Sequence, residues 1–242
     1  MLTKPFLKII AGIENKNLER VLAISKASTF CGVEAIDICD DVQIIKAVKS
    51  SLAGSKIKLF VSSLSWEKLL VAGELGADYL ELGNYDHIYE RGERFSAEQI
   101  IEAVQNLTNR GHYNLSITIP GYLSPNEQAD LAQKVLEFKV SILQTEGGSI
   151  SSPTSSGAIG QIEKAKITLA NTLELKNACP TASILAAGGL SAVTIPLALA
   201  AGASGIGIGQ GISKLSSELE MVATIRLVQE KMANFSKMYS LV

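Results

Sequence analysis

Four ionisable residues sit where alternation within short β-rich runs turns them away from large apolar neighbours. Lys8 stands between Leu7 and Ile9, Asp37 between Ile36 and Ile38, Glu81 between Leu80 and Leu82, and Glu146 two places beyond Gln144. Successive side chains of a strand point to opposite faces, so in a barrel of parallel strands these four face the interior and are expected to converge as the catalytic group. A lysine among carboxylates suits a Schiff base with a carbonyl substrate, or a proton shuttle beside a carboxylate acid/base. Adjacent carboxylates raise a lysine's pKa, which weakens the nucleophile. The non-catalytic alternative is a buried ion-pair network that fills the interior. Carboxylates beside a phosphate could hold Mg²⁺, but the spacing carries no metal-ligand pattern, and no metal site is expected.

A second group is built from glycine. Gly188, Gly189 and Ser191 follow the run 183–187, while Gly207, Gly209 and Gln210 end and follow the run 205–208. Glycine lets the backbone approach an anion closely, and amides that open a following helix add donors at the positive end of its dipole. These six residues are expected to hold the phosphate of a ligand or cofactor. Relief of crowding in tight turns is the plainer alternative. From Asn177 to Ser213 the chain has no Asp, Glu, Lys, Arg or His, so this cup is expected to work through its backbone alone. Asn84, Ser116, Thr118, Gln144, Gly147 and Gly148 complete the site as substrate contacts. The Ser- and Gly-rich run from Gly147 to Gly160 is long for a strand-to-helix connection and is expected to close over the site as a lid.

The elements that must position these residues recur in a regular order. Strands are expected at 6–11, 33–38, 57–62, 78–83, 114–119, 140–145, 183–187 and 205–208, each followed by a helical pattern. Helix starts are marked by Ser65, by Ser96 with Gln99, by Ser124 with Pro125 and Glu127, and by Ser191. A last helix is expected to bury Leu215, Leu219, Val222, Ile225 and Val228 on one face. Alternation of eight strands with helices points to an α/β fold, a (β/α)8 TIM barrel, with residues 1–242 as a single barrel domain. A doubly wound open sheet is the rival, but Ala11-Gly12-Ile13-Glu14 follows the first strand where a GxGxxG turn would be needed.

Composition removes several classes. Hydrophobic residues make up 47% of the 242 and charged ones 19%, enough apolar material for a packed core. A net charge of -2 without a basic stripe sets nucleic acid aside as a partner. Glycine and proline interrupt every long apolar stretch, so no membrane span is expected. Three cysteines and two histidines assemble no zinc pattern, and a reducing compartment is the plain expectation. Self-association, as a homo-oligomer, stays open.

At Lys8, Asp37-Ile38-Cys39-Asp40, Glu81-Leu82-Gly83-Asn84-Tyr85-Asp86, Gln144-Thr145-Glu146-Gly147-Gly148 and Gly189-Leu190-Ser191-Ala192-Val193-Thr194, the chain resembles the hypothetical chloroplast reading-frame family of algal plastids and cyanobacteria. The resemblance runs almost end to end, and the QTEGG and GLSAVT segments are its specific part. It implies a barrel fold and a location in the plastid stroma or the cyanobacterial cytoplasm, and no particular reaction. At the last two strands the chain also resembles, more distantly, phosphate-binding (β/α)8 barrels that take ribulose phosphates or flavin. The function expected is an enzyme acting on a small phosphorylated carbonyl compound by lyase or isomerase chemistry. Two alternatives are an FMN-dependent oxidoreductase, with the FMN phosphate in the cup and Ser116, Thr118 and Gln144 on the ring, and a non-catalytic nucleotide or sugar-phosphate sensor.

Overall fold

The computed structural model describes residues 5–83, 85–89, 91–147 and 153–239. Eight parallel strands close on themselves in sequence order: β1 (Phe6–Ile10), β2 (Ala35–Cys39), β3 (Lys58–Ser63), β4 (Tyr79–Leu82), β5 (Leu115–Thr118), β6 (Ile142–Gln144), β7 (Ile184–Ala187) and β8 (Gly205–Ile208). β8 pairs with β1 through Leu7 opposite Ile206 and Lys8 opposite Gly207. The helices are α1 (Leu18–Cys31), α2 (Val42–Ser51), α3 (Trp66–Glu74), α4 (Asp86–Tyr89), α5 (Ala97–Arg110), α6 (Pro125–Leu136), α7 (Gly157–Ala178), α8 (Ile195–Ala200), α9 (Gln210–Ser213) and α10 (Glu218–Tyr239). This is the (β/α)8 TIM barrel that the alternating pattern predicts.

Local chemistry sets most helix starts. The Ser96 side chain accepts the Gln99 amide while the Gln99 side chain accepts the Ser96 amide, and Ser124 with Glu127 repeats the arrangement behind Pro125. Two orphan donors are satisfied at each end in this way. Ser65 caps α3. Ser191 departs from expectation: α8 begins later, at Ile195, because the Ser191 amide bonds the Thr194 hydroxyl and a turn intervenes. The last helix buries Ile225 and Val228 as expected, but other residues complete the stripe. Met221, Ile225, Val228 and Met232 face the barrel at 3.6-residue spacing while Leu219 is 78% exposed, and Leu215 precedes α10.

The barrel interior is layered. Phe6, Ala35, Phe60, Tyr79, Ile142 and Leu185 form an apolar cluster near the amino ends of the strands, with Phe60 stacked on Tyr79 at 4.3 Å. Gly205 makes room there, since a Cβ on it would stand 2.5 Å from the Phe6 ring. Two residues further along each strand the same inward positions become Lys8, Asp37, Ser62, Glu81, Gln144, Ala187 and Gly207. The polar members of this second layer are all buried, as are Ser116 and Thr118 of β5. Large aliphatic residues of the opposite parity, such as Leu7, Ile9, Ile36, Ile38, Leu80 and Leu82, pack under the helices.

Candidate functional site

A cavity of about 300 Å³ opens beyond the carboxyl ends of the strands. Glycine turns after β7 and β8 frame it with Gly188, Gly189, Gly207, Gly209, Gln210 and Gly211. The β1–α1 connection adds Gly12, Ile13, Glu14 and Asn15, and Thr145, Glu146 and Lys164 complete much of the wall. Of the six residues expected to hold phosphate, five line this cavity. Ser191 does not: its hydroxyl donates to Gln161 Oε1 at 2.6 Å, which turns it toward α7.

The turn after β7 is held rigidly. Gly188 has φ of +109°, and a Cβ there would meet the Gly147 nitrogen at 2.4 Å, so only glycine fits. Thr168 of α7 donates its hydroxyl to the Ala187 and Gly188 carbonyls at 3.1 and 2.7 Å. Gly147 thus acts as the backbone against which the turn is packed. Gly209 is different. A Cβ on it would find Ile10 at 3.7 Å, an ordinary contact, so this glycine relieves no clash. The first amides of α9, Gln210 and Gly211, have no acceptor within their own helix and border the same space.

Beneath this cavity lies the buried charge cluster. Lys8 Nζ pairs with Glu81 Oε2, both side chains being 0% exposed, and stands 4.8 Å over the Phe60 ring. Glu81 also accepts from Ser116 (2.9 Å), Gln144 Nε2 (2.9 Å) and Ser62 (3.2 Å), and Ser62 reaches Asp37 Oδ1 at 2.6 Å. Gln144 Nε2 lies 3.0 Å from the Thr118 hydroxyl. Burial pushes the Asp37 carboxyl up to about 7 against the opposing pull of Lys8; the Glu81 charge adds to the rise and the Ser62 hydrogen bond offsets part of it. Asp37 Oδ2 has no hydrogen-bond partner among the described residues, so that oxygen lacks the donors that would hold a buried carboxylate ionised.

The four residues expected to converge are therefore brought together only in part. Lys8, Asp37 and Glu81 form one cluster in the second layer, and none of them lines the cavity; Ile10, two places beyond Lys8, does. Glu146 stands on the cavity wall and is held by another set of donors: the Tyr85 amide at 2.7 Å, the Gly121 amide at 3.2 Å and the Tyr89 hydroxyl. Ser116, Thr118 and Gln144 serve the Glu81 network in place of a substrate or a ring. They are buried and line no part of the cavity, so they offer a flavin ring no face, and the residues present do not fit FMN in the manner expected. Asn84 and Gly148 lie outside the described residues.

The same is true of residues 148–152 in the expected lid. The rest of that run is partly helix, since α7 starts at Gly157, and Thr154 and Ser155 are tied to Glu163. Several site residues were not anticipated, among them Tyr89, Ser62 and Lys164. Tyr89 reaches Glu146 from α4, and Ser62 links the two buried carboxyls. Lys164 comes from a helix rather than a loop; its signal is the helical spacing Lys164, Thr168, Thr172, Leu175 along the inward face of α7, where the last three are buried.

Comparison with known proteins bears on the same chain from outside. Residues 1–238 match a family described as "Protein of unknown function (DUF561)". The chain belongs to the DUF561 family. Within reach of it is the "Uncharacterized protein ycf23" of Pyropia yezoensis, 35% identical over 224 residues, which span 92% of this chain and 80% of that one. The resemblance to the chloroplast reading-frame family is thereby shown. Among solved structures, the chain is similar to 3-hexulose-6-phosphate synthase from Salmonella typhimurium, with a TM-score of 0.67 at 13% identity, covering 95% of this chain and 99% of that one. It is also similar to KGPDC from Streptococcus mutans in complex with D-R5P, with a TM-score of 0.66 at 14% identity, covering 96% and 99%. At such identities the likeness is one of fold.

Proposed function

We propose that this DUF561 chain, as one barrel domain, binds a small phosphorylated carbonyl compound in the cavity at the carboxyl face and acts on it by lyase or isomerase chemistry. The observation that carries this reading is the pair of glycine turns after β7 and β8, which border one small cavity, Gly209 being a position where a Cβ would meet only ordinary contact. A cavity of about 300 Å³ is at the small end for ligand sites, which favours a short sugar phosphate over a dinucleotide. The barrels of similar fold named above include 3-hexulose-6-phosphate synthase and a protein in complex with D-R5P, which supports this reading by analogy of fold alone.

In this reading Glu146, on the cavity wall, is the carboxylate that exchanges a proton with the carbonyl end of the ligand. Its three donors fix its orientation, as a general acid or base requires. Lys8 is poorly placed for a Schiff base, because its amine is paired with Glu81 and stands over Phe60, away from the cavity. In this reading Lys8, Asp37 and Glu81 set the charge below the floor. Family membership supports a setting in the plastid stroma or the cyanobacterial cytoplasm, and among the described residues no helix is long and apolar enough to cross a membrane.

The test has a binding arm and a turnover arm. Gly209→Leu should fold normally and lose binding of dihydroxyacetone phosphate by calorimetry, by about tenfold or more. Gly188 is unsuitable for this purpose: Gly188→Val should fail to fold, given its φ and its approach to Gly147. Wild type should exchange a carbon-bound proton of the same probe with deuterium oxide, and Glu146→Gln should abolish that exchange while still binding. Binding with no exchange in the wild type would leave a sensor, and undiminished binding by Gly209→Leu would overturn the cup.

A further inference from the structure

We infer that Lys164 supplies the counter-charge for the ligand's phosphate, and that the site takes a phosphate monoester whose remaining part is uncharged. This deepens the reading above and rests on it. Among the described residues that line the cavity, Lys164 is the one cation, while Glu14 and Glu146 are the carboxylates. The segment Asn177 to Ser213, which contributes both glycine turns, has no charged side chain to offer.

Three features make Lys164 a ligand group rather than part of the scaffold. First, its position is fixed: the Lys164 carbonyl lies so close to Gly189 that a Cβ on that glycine would stand 2.5 Å from it, so the lysine is anchored beside the turn after β7. Second, its half-buried side chain makes no ion pair and no hydrogen bond among the described residues, although it borders a cavity with two carboxylates on its wall. Third, its sequence neighbour Glu163 is occupied elsewhere, accepting from the amides of Thr154 and Ser155 at 2.8 and 3.0 Å and from the Ser155 hydroxyl at 2.6 Å. A cation left unneutralised on the wall of a small cavity, beside a turn of glycine backbone, is matched by a phosphate.

The other charged groups of the wall define the rest of the ligand. Glu146 is an acceptor already supplied with three donors, and Glu14 is paired with Arg91 at 3.0 Å. With Lys164 spent on the phosphate, a second acidic group on the ligand would meet carboxylates and no cation. Hydroxyl and carbonyl groups meet no such penalty, and Asn15 and Thr145 on the wall can bond them.

Calorimetric titration of the full chain with glycerol 3-phosphate and 3-phosphoglycerate tests both halves. Wild type should prefer glycerol 3-phosphate by about tenfold or more, and Lys164→Met should weaken that ligand by about tenfold to a hundredfold. Lys164→Arg should retain most of the affinity, and circular dichroism should show unchanged thermal unfolding for both variants. Equal binding by Lys164→Met and wild type, or equal binding of 3-phosphoglycerate, would overturn the inference. If wild type binds neither phosphate ester, the cup itself fails and this inference with it. Loss with Lys164→Met but not with Gly209→Leu would overturn the cup while keeping the lysine as an anion ligand.

Discussion

Glu81→Gln should destabilise the barrel by about 3 to 5 kcal/mol, measured by urea unfolding at neutral pH, because it leaves the Lys8 ammonium buried without its anion. Both partners are fully buried, so solvent screening does not dilute the effect. The amide keeps one oxygen for Ser116, while its nitrogen takes the place of Glu81 Oε1 opposite Ser62 and Gln144 Nε2, so the Gln144 amide must turn over and part of the cost is rearranged hydrogen bonding. Removing the cation as well should return much of the loss: Lys8→Met with Glu81→Gln leaves no unpaired charge in that pair and keeps the volume over Phe60 filled. A single-variant cost below about 1 kcal/mol, the range of exposed pairs, would show that water reaches the cluster.

Asp37 should give the protein an unusual pH dependence. Its folded-state carboxyl titrates at about 7, against 3.8 for the ordinary group, chiefly through burial. The folded chain therefore holds this proton more tightly than the unfolded chain does. The contribution to stability is greatest below the unfolded value and is lost as pH rises toward the folded value, which amounts to roughly 4 kcal/mol for a shift of about three units. Asp37→Asn fixes the neutral state and keeps an oxygen for the Ser62 hydroxyl. Urea unfolding of both proteins at pH 4.5 and pH 7.5 should show wild type losing stability relative to Asp37→Asn as pH rises. Parallel behaviour at the two pH values would mean that Asp37 is ionised in the fold.

Alternation and local capping were enough to recognise much of this molecule. A strand's two-residue period separates inward from outward positions whatever surrounds it, so Lys8, Asp37, Glu81 and the serine and threonine of β5 could be placed inside from their neighbours alone. Capping boxes at Ser96 and Ser124 are closed by residues three places apart and need no tertiary partner. The glycine turns after β7 and β8 were legible for the same reason, as was their nearness at adjacent strands.

Depth along the barrel axis was beyond such patterns. Parity says that a side chain points inward but not in which layer it lies, and the layer is set by where each strand begins relative to its neighbours around the closed sheet. That stagger put Lys8, Asp37 and Glu81 below the floor and Glu146 on the wall. Partners from distant segments were equally hidden: Tyr85 and Tyr89 reach Glu146 across some sixty residues, and Lys164 borders the cavity because α7 packs against the turn at Gly189. Ser191 was drawn away to Gln161, and α10 buried Met221 in place of Leu219, because the hydrogen bond and the helix face were chosen by the packed neighbour. Contacts made once, between elements far apart in the chain, leave no period in the sequence, and only closing the barrel decides them.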